Sequence, residues 1–122
     1  MKGAVNSNFE PVIKIGIVFG GKVKYFDAII DTGFNGFISI PHKLIQRTSW
    51  QFIGYEAYEL ASGEIVKDKV YLGDIVFGKK RKYTYVLSNR TEDILIGTKL
   101  FTNKTLVINF RTKKVTVEDG EL

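Results

Sequence analysis

An all-β barrel, closed or nearly closed and with one or two short helices, is the fold this sequence predicts. Three observations carry it: apolar residues recur at alternate positions, the runs are short and bounded by glycine-bearing turns, and only two small stretches read as helical. From Pro11 to Phe19 the positions Ile13, Ile15, Ile17 and Phe19 share one face, and Gly20-Gly21 supplies a two-residue turn back along Lys22 to Ile30. Phe37 to Ile40 reads as a strand. Pro41 then opens a helix to about Arg47, because proline suits a first helical turn and not a helix interior. Phe52 to Leu60 and Glu64 to Leu72 flank Ala61-Ser62-Gly63 as a hairpin, and Asp74 to Phe77 with Tyr83 to Leu87 form the next around Lys79 to Lys82. Ile94 to Ile96 is a buried strand, Thr98 to Asn103 a single helical turn, and Leu106 to Phe110 with Val115 to Glu118 a last hairpin. Met1 to Glu10 reads as a flexible polar arm that Val5 and Phe9 can anchor, and Trp50, Phe52 and Tyr55 are assigned to the core.

Size and composition narrow the function classes. A chain of 122 residues is one domain, 1–122, able to bury a single modest core. With 44% hydrophobic and 13% aromatic residues it is a folding composition and not a disordered one. Lys14, Lys22, Lys24 and Asp27 break up the N-terminal third, which leaves neither a membrane span nor a secretory core, so the expected localisation is cytoplasmic. The absence of cysteine removes disulfides and thiol nucleophiles, in keeping with a reducing compartment. His42 is the one histidine, too small a supply of imidazole for a Ser-His-Asp triad or a histidine-rich metal site, and it is read as a residue of the helix's first turn. Asp68, Asp74 and Asp93 fall in different segments with no ligand spacing, so neither metal nor cofactor is expected. The net charge of +5 is most concentrated at Lys79 to Lys82. That run reads as a solvated turn with at most a weak contact to an acidic partner, and nucleic acid is not the expected ligand.

The chemistry-bearing stretch is Ala28 to Ile40, where Asp31-Thr32-Gly33 follows an apolar run. An apolar strand there delivers one carboxylate to a glycine-relaxed turn, an arrangement that partly desolvates an acid while leaving it reachable. A second apolar block, Ile94-Leu95-Ile96-Gly97, closes on glycine further along the chain.

Together with Phe34, Gly36-Phe37-Ile38-Ser39-Ile40-Pro41 and Ala61-Ser62-Gly63, these motifs make the chain resemble the retropepsin-like aspartic proteases, specifically their small single-domain prokaryotic members. The resemblance spans about Pro11 to Val117 and implies a closed acid-protease barrel. It further implies that Asp31 is catalytic, that Thr32 and Gly33 complete the active-site turn, and that Ile96 and Gly97 support it from behind. Phe34 and Asn35 would line the substrate cleft, and Ala61, Ser62 and Gly63 would form the tip of a flap over it. Because the chain carries one Asp-Thr-Gly, a second must come from another subunit: the resemblance implies a homodimer with a peptide or protein substrate, and the strand Val115 to Glu118, with residues before Phe9 as a second candidate, is expected to supply part of the interface by strand addition.

Such an enzyme needs no metal. Two close carboxyl groups cannot both ionise, so one acts as general base on a water while the other, protonated, polarises the peptide carbonyl. This sequence departs from better-known members at Phe34, which lacks the hydroxyl that Ser or Thr at this place can aim at the acid; a less acidic pH optimum is expected. The alternative function is a catalytically silent barrel serving as a peptide-binding or protein-interaction module.

Overall fold

The computed structural model describes residues 1–120; the last two positions of the expected 1–122 domain lie outside it. Ten strands follow in chain order: β1 (Lys2–Val5), β2 (Pro11–Phe19), β3 (Lys22–Ile30), β4 (Ile38–Pro41), β5 (Gln51–Glu59), β6 (Ile65–Phe77), β7 (Lys80–Asn89), β8 (Ile94–Ile96), β9 (Lys104–Asn109) and β10 (Lys114–Asp119). One short helix, α1 (His42–Ile45), and a 3₁₀ turn, Thr98–Phe101, interrupt them. The strand order is β5-β6-β7-β4-β8-β3-β2-β1-β10-β9, and an extra pairing of β6 with β2 joins the ends of its central part. That pairing closes β6, β7, β4, β8, β3 and β2 into a six-stranded barrel, leaving β5 as a projecting arm and β1, β10 and β9 as a terminal extension. An all-β, acid-protease-like barrel is therefore the observed fold.

The barrel interior is built from β-branched side chains that fit a pleated surface. Ile13, Ile15 and Ile17 from β2, Ile38 and Ile40 from β4, and Ile75 from β6 are each at most 1% exposed. In β2 the expected alternation holds: Ile13↔Ala28, Ile15↔Phe26 and Ile17↔Lys24 lie opposite one another across the β2–β3 ladder. The strands β3 with β8 and β4 with β7 run parallel, whereas β4 with β8 is antiparallel.

Three expectations need correction. Residues 1–10 do not fray as an arm: β1 is inserted between β2 and β10, Val5 is buried, and Asn6 holds the following turn by accepting from the backbone N–H groups of Asn8 and Glu10. Phe9 stays exposed. Gly73 does not divide two strands; it lies inside the 13-residue β6, where a Cβ would come within 2.4 Å of Val86 Cγ2 and 3.3 Å of the Trp50 ring. The glycine there serves packing, not turning. Phe52 and Tyr55 are not core: they sit on β5, outside the barrel, edge to face with each other and, for Phe52, with Tyr71, while Trp50 is half-buried. The strand Val115 to Glu118 lies within β10, which pairs with β9 along its length and with β1 over Lys114–Thr116. The basic run is likewise redistributed: the turn is Gly78-Lys79, and Arg81 sits in β7 paired to Asp74 at 2.5 and 2.8 Å. Among the described residues no helix is long and apolar enough to cross a membrane.

Candidate active site

Strand β3 ends at Ile30, and the next residue, Asp31, leaves the sheet with its backbone still tied to it. Its N–H donates to Ile96 O at 2.9 Å, and its own carbonyl accepts from Phe34 N at 3.1 Å, which closes the turn. The side chain is half-buried, with Oδ1 accepting from Gly33 N–H at 3.0 Å. That bond fixes the side chain's rotamer within the turn. Thr32, Gly33 and Asn35 are exposed, and the Phe34 side chain offers the carboxylate no donor.

The turn is held from behind by a seam of backbone bonds: Gly97 N to Phe37 O at 2.9 Å, Thr98 N to Phe34 O at 2.9 Å and Lys99 N to Gly36 O at 3.1 Å. A close approach of two chains is what makes this seam possible. A Cβ on Gly97 would lie 2.1 Å from Gly36 O and 2.7 Å from Gly36 C, inside any real contact distance. Ile96 is fully buried one residue earlier. The structure thus brings together residues 31–37 and 94–99, distant in sequence, by setting β3 and β4 on either side of β8.

In front of the turn lies a groove of about 800 Å³, walled on one side by Phe34, Asn35 and Phe37 and on the other by the β5–β6 hairpin through Ile53, Tyr55, Glu56, Tyr58, Asp68 and Val70. Tyr85, Leu87, Asn89 and Lys99 complete it. Tyr85 packs against Phe37 at 6.1 Å between ring centroids, and the Lys99 ammonium stands 5.8 Å from the Phe37 ring centre. Tyr58 donates to the Asp68 carboxylate, and that bond, with partial burial, holds the phenol above its usual pKa. Apart from Phe34 and Asn35, these wall residues are not among the site residues that the sequence singles out. The available signal was the alternation of β6 and β7, which puts Asp68 and Val70, and Tyr85, Leu87 and Asn89, on one groove-facing set each once the strand order is known; β5, with its register shift, lines the groove without alternating.

The hairpin tip behaves differently from its stem. Leu60 and Glu64 pair at 2.8 Å, Gly63 N donates to Leu60 O at 2.9 Å, and Gly63 adopts φ +86°, a conformation glycine tolerates without strain. Ala61, Ser62 and Gly63 are all exposed and do not line the groove of the single chain; its hairpin wall is formed by residues nearer the stem.

An acid held at the mouth of an apolar groove, on a turn stitched to a second loop inside a six-stranded barrel, defines an acid-protease architecture. Comparison with known proteins agrees at the level of fold. No family model and no curated protein matches the sequence. Among solved structures the chain is similar to the crystal structure of a retropepsin-like aspartic protease from Rickettsia conorii, with a TM-score of 0.69, 18% sequence identity, and 98% of this chain and 89% of that chain covered. The fold is that of retropepsin-like aspartic proteases.

Proposed function

We propose that this chain is half of a homodimeric aspartic endopeptidase in which Asp31 of each subunit supplies one carboxyl group. The observation that carries the reading is the presentation of Asp31: half-buried, oriented by Gly33 N–H, backed by the Gly97 seam and facing a peptide-sized groove. When the two carboxyls meet they share one proton. The ionised member takes a proton from water as that water attacks the peptide carbonyl carbon, and the protonated member donates to the carbonyl oxygen; the resulting gem-diol collapses as one carboxyl gives its proton to the departing amine and the other, now ionised, takes a gem-diol hydroxyl proton, which leaves the dyad with one proton again. Thr32, exposed in the single chain, would meet its symmetry mate and hold the two turns together. Phe34 and Asn35 would border the reacting bond, and the tip Ala61-Ser62-Gly63, standing clear of its own groove, would act as a mobile flap, excluding water when closed.

Asp31→Asn tests this reading. The substitution keeps shape and removes the titratable acid, so the purified variant should fold and self-associate as wild type does while hydrolysis of unstructured peptides falls by at least about a thousandfold, the scale typical of losing an essential acid or base. Wild-type rates for Asp31→Asn would refute it. A folded wild-type dimer that binds peptides without cleaving them would support the silent-module alternative.

A further inference from the structure

We propose that the groove in front of Asp31 takes peptides carrying a lysine or arginine side chain, held on the hairpin wall by Glu56 and Asp68. This rests on the aspartic reading in one respect: the groove is taken to be the substrate cleft. Three carboxylates, Asp31, Glu56 and Asp68, line it, and Lys99 is the one cation among its lining residues, in a chain whose net charge is +5. The groove is thus acidic on a basic molecule. A concave site of one sign focuses its field and concentrates ligands of the other. Its two walls also differ: the Lys99 ammonium stands 5.8 Å from the Phe37 ring centre, whereas Glu56 and Asp68 both belong to the hairpin. A peptide ammonium or guanidinium is therefore drawn to the hairpin wall and repelled from the other.

The register of the hairpin sharpens this. Glu56 on β5 lies directly opposite Asp68 on β6, so two like charges meet at one ladder position, an arrangement that costs stability when nothing neutralises it. The chain has cations at hand and does not use them. Lys67 and Lys69 flank Asp68 in sequence, but alternation along β6 carries them to the other face, and neither lines the groove. The ion pairs among the described residues are Lys14–Asp27, Lys43–Glu92, Arg81–Asp74 and Lys104–Asp119, which leaves Glu56 and Asp68 without a cationic partner. Asp68 accepts the Tyr58 hydroxyl, and that bond, then burial, then the charges of Asp68 and Glu56 hold the phenol above its usual pKa, so both acids act on one place. A single bound cation there relieves the repulsion between them. Tyr58 and Val70 in the same wall offer apolar surface along which the methylenes of lysine or arginine can lie.

The test follows cleavage of unstructured peptides in which one position at a time is lysine, arginine, norleucine or glutamate, by wild type, the double variant Glu56→Gln with Asp68→Asn, and Glu92→Gln. Wild type should favour lysine or arginine over norleucine by about five- to tenfold in kcat/KM at the best position, because one exposed ion pair is worth up to about fivefold and here two acids share the cation. Glutamate should rank last, and the preference should shrink as salt rises. In the double variant it should fall to within about twofold; both substitutions keep shape and remove the like-charge contact, so the fold should survive. Glu92→Gln, which neutralises an exposed acid outside the groove, should keep the wild-type ranking. Equal treatment of lysine and norleucine by wild type, a preference that persists in the double variant, or one lost equally in Glu92→Gln would overturn the inference. If wild type cleaves nothing, binding of the same peptides read by fluorescence anisotropy gives the ranking instead; binding that ignores charge, or no binding at all, overturns it too. Failure of the two readings is separable. If the lysine preference depends on Glu56 and Asp68 while Asp31→Asn cleaves like wild type, the charged wall stands and the aspartic mechanism falls; if Asp31→Asn abolishes cleavage while lysine and norleucine peptides are treated alike, the charged wall falls alone.

Discussion

Replacing Gly97 by alanine should be among the most damaging one-methyl changes in this chain. At φ −88° and ψ 169° the backbone of Gly97 is open to any residue, so no conformational strain enters. The cost comes from contact alone. The added carbon would stand 2.1 Å from Gly36 O, 2.7 Å from Gly36 C and 2.9 Å from the Phe34 ring, and two of those three atoms are backbone that no rotamer change can move. The loop carrying Phe34 and Gly36 must retreat, which strains or breaks the bonds from Thr98 N to Phe34 O and Lys99 N to Gly36 O. Overpacking costs roughly 1–3 kcal/mol, and one or two weakened bonds add about 0.5–1.5 kcal/mol each, so the loss should be about 1.5–6 kcal/mol against a total stability of order 5–15. Gly21→Ala is the control, because nothing lies within 4 Å of a Cβ there and its φ is not positive. Urea unfolding at one fixed protein concentration should show Gly97→Ala strongly shifted and Gly21→Ala within about 0.5 kcal/mol of wild type. A Gly97→Ala midpoint equal to that of the control would refute the role given to the seam.

Two further outcomes concern the groove. Gly63→Pro cannot adopt φ +86° and loses the N–H that bonds Leu60 O, so the exposed tip should rearrange. Peptide turnover should then fall with the melting temperature changed by less than about 3 °C, and unchanged turnover would move the flap elsewhere. Phe34→Ser introduces a hydroxyl into the Asp31 turn; if it donates to the carboxylate, as the resemblance implies, the acidic limb of the pH–rate profile should move to lower pH, because a donor to the charged form lowers a carboxyl pKa. A limb that stays in place or moves upward would show that residue 34 does not tune the acid.

What could be read from the sequence was local. Alternation at Ile13, Ile15 and Ile17 and the Gly20-Gly21 turn specify β2 and β3, because a strand half-buried in a barrel must repeat every two residues and a two-residue hairpin favours positive φ. The pairing of Asp31 with Ile96 became legible through a motif resemblance, not through periodicity. Long-range consequences of strand order stayed hidden. Nothing in Lys2–Val5 announces that it will lie between β2 and β10, and nothing in Val115–Glu118 says that β1 will pair along part of it, since each fact depends on partners about a hundred residues away. The groove wall was missed for the same reason: Tyr58, Asp68 and Tyr85 become neighbours of the Asp31 turn only when β5, β6 and β7 are laid side by side. Phe52 and Tyr55 misled because aromatic composition signals burial on average, whereas a hairpin projecting from a barrel exposes both of its faces.

The central claim is that two Asp31 carboxyls, one from each subunit, act as one catalyst. Subunit mixing tests it most directly: wild type at fixed concentration is equilibrated with a ninefold excess of Asp31→Asn protein, and peptide hydrolysis is followed with time. With random exchange about nine tenths of wild-type subunits then sit in mixed dimers, which have one carboxyl and no partner to share its proton. Activity per wild-type subunit should drop to about one tenth of its unmixed value. If it stays unchanged in verified mixed dimers, a single Asp31 suffices and the shared-proton mechanism is contradicted.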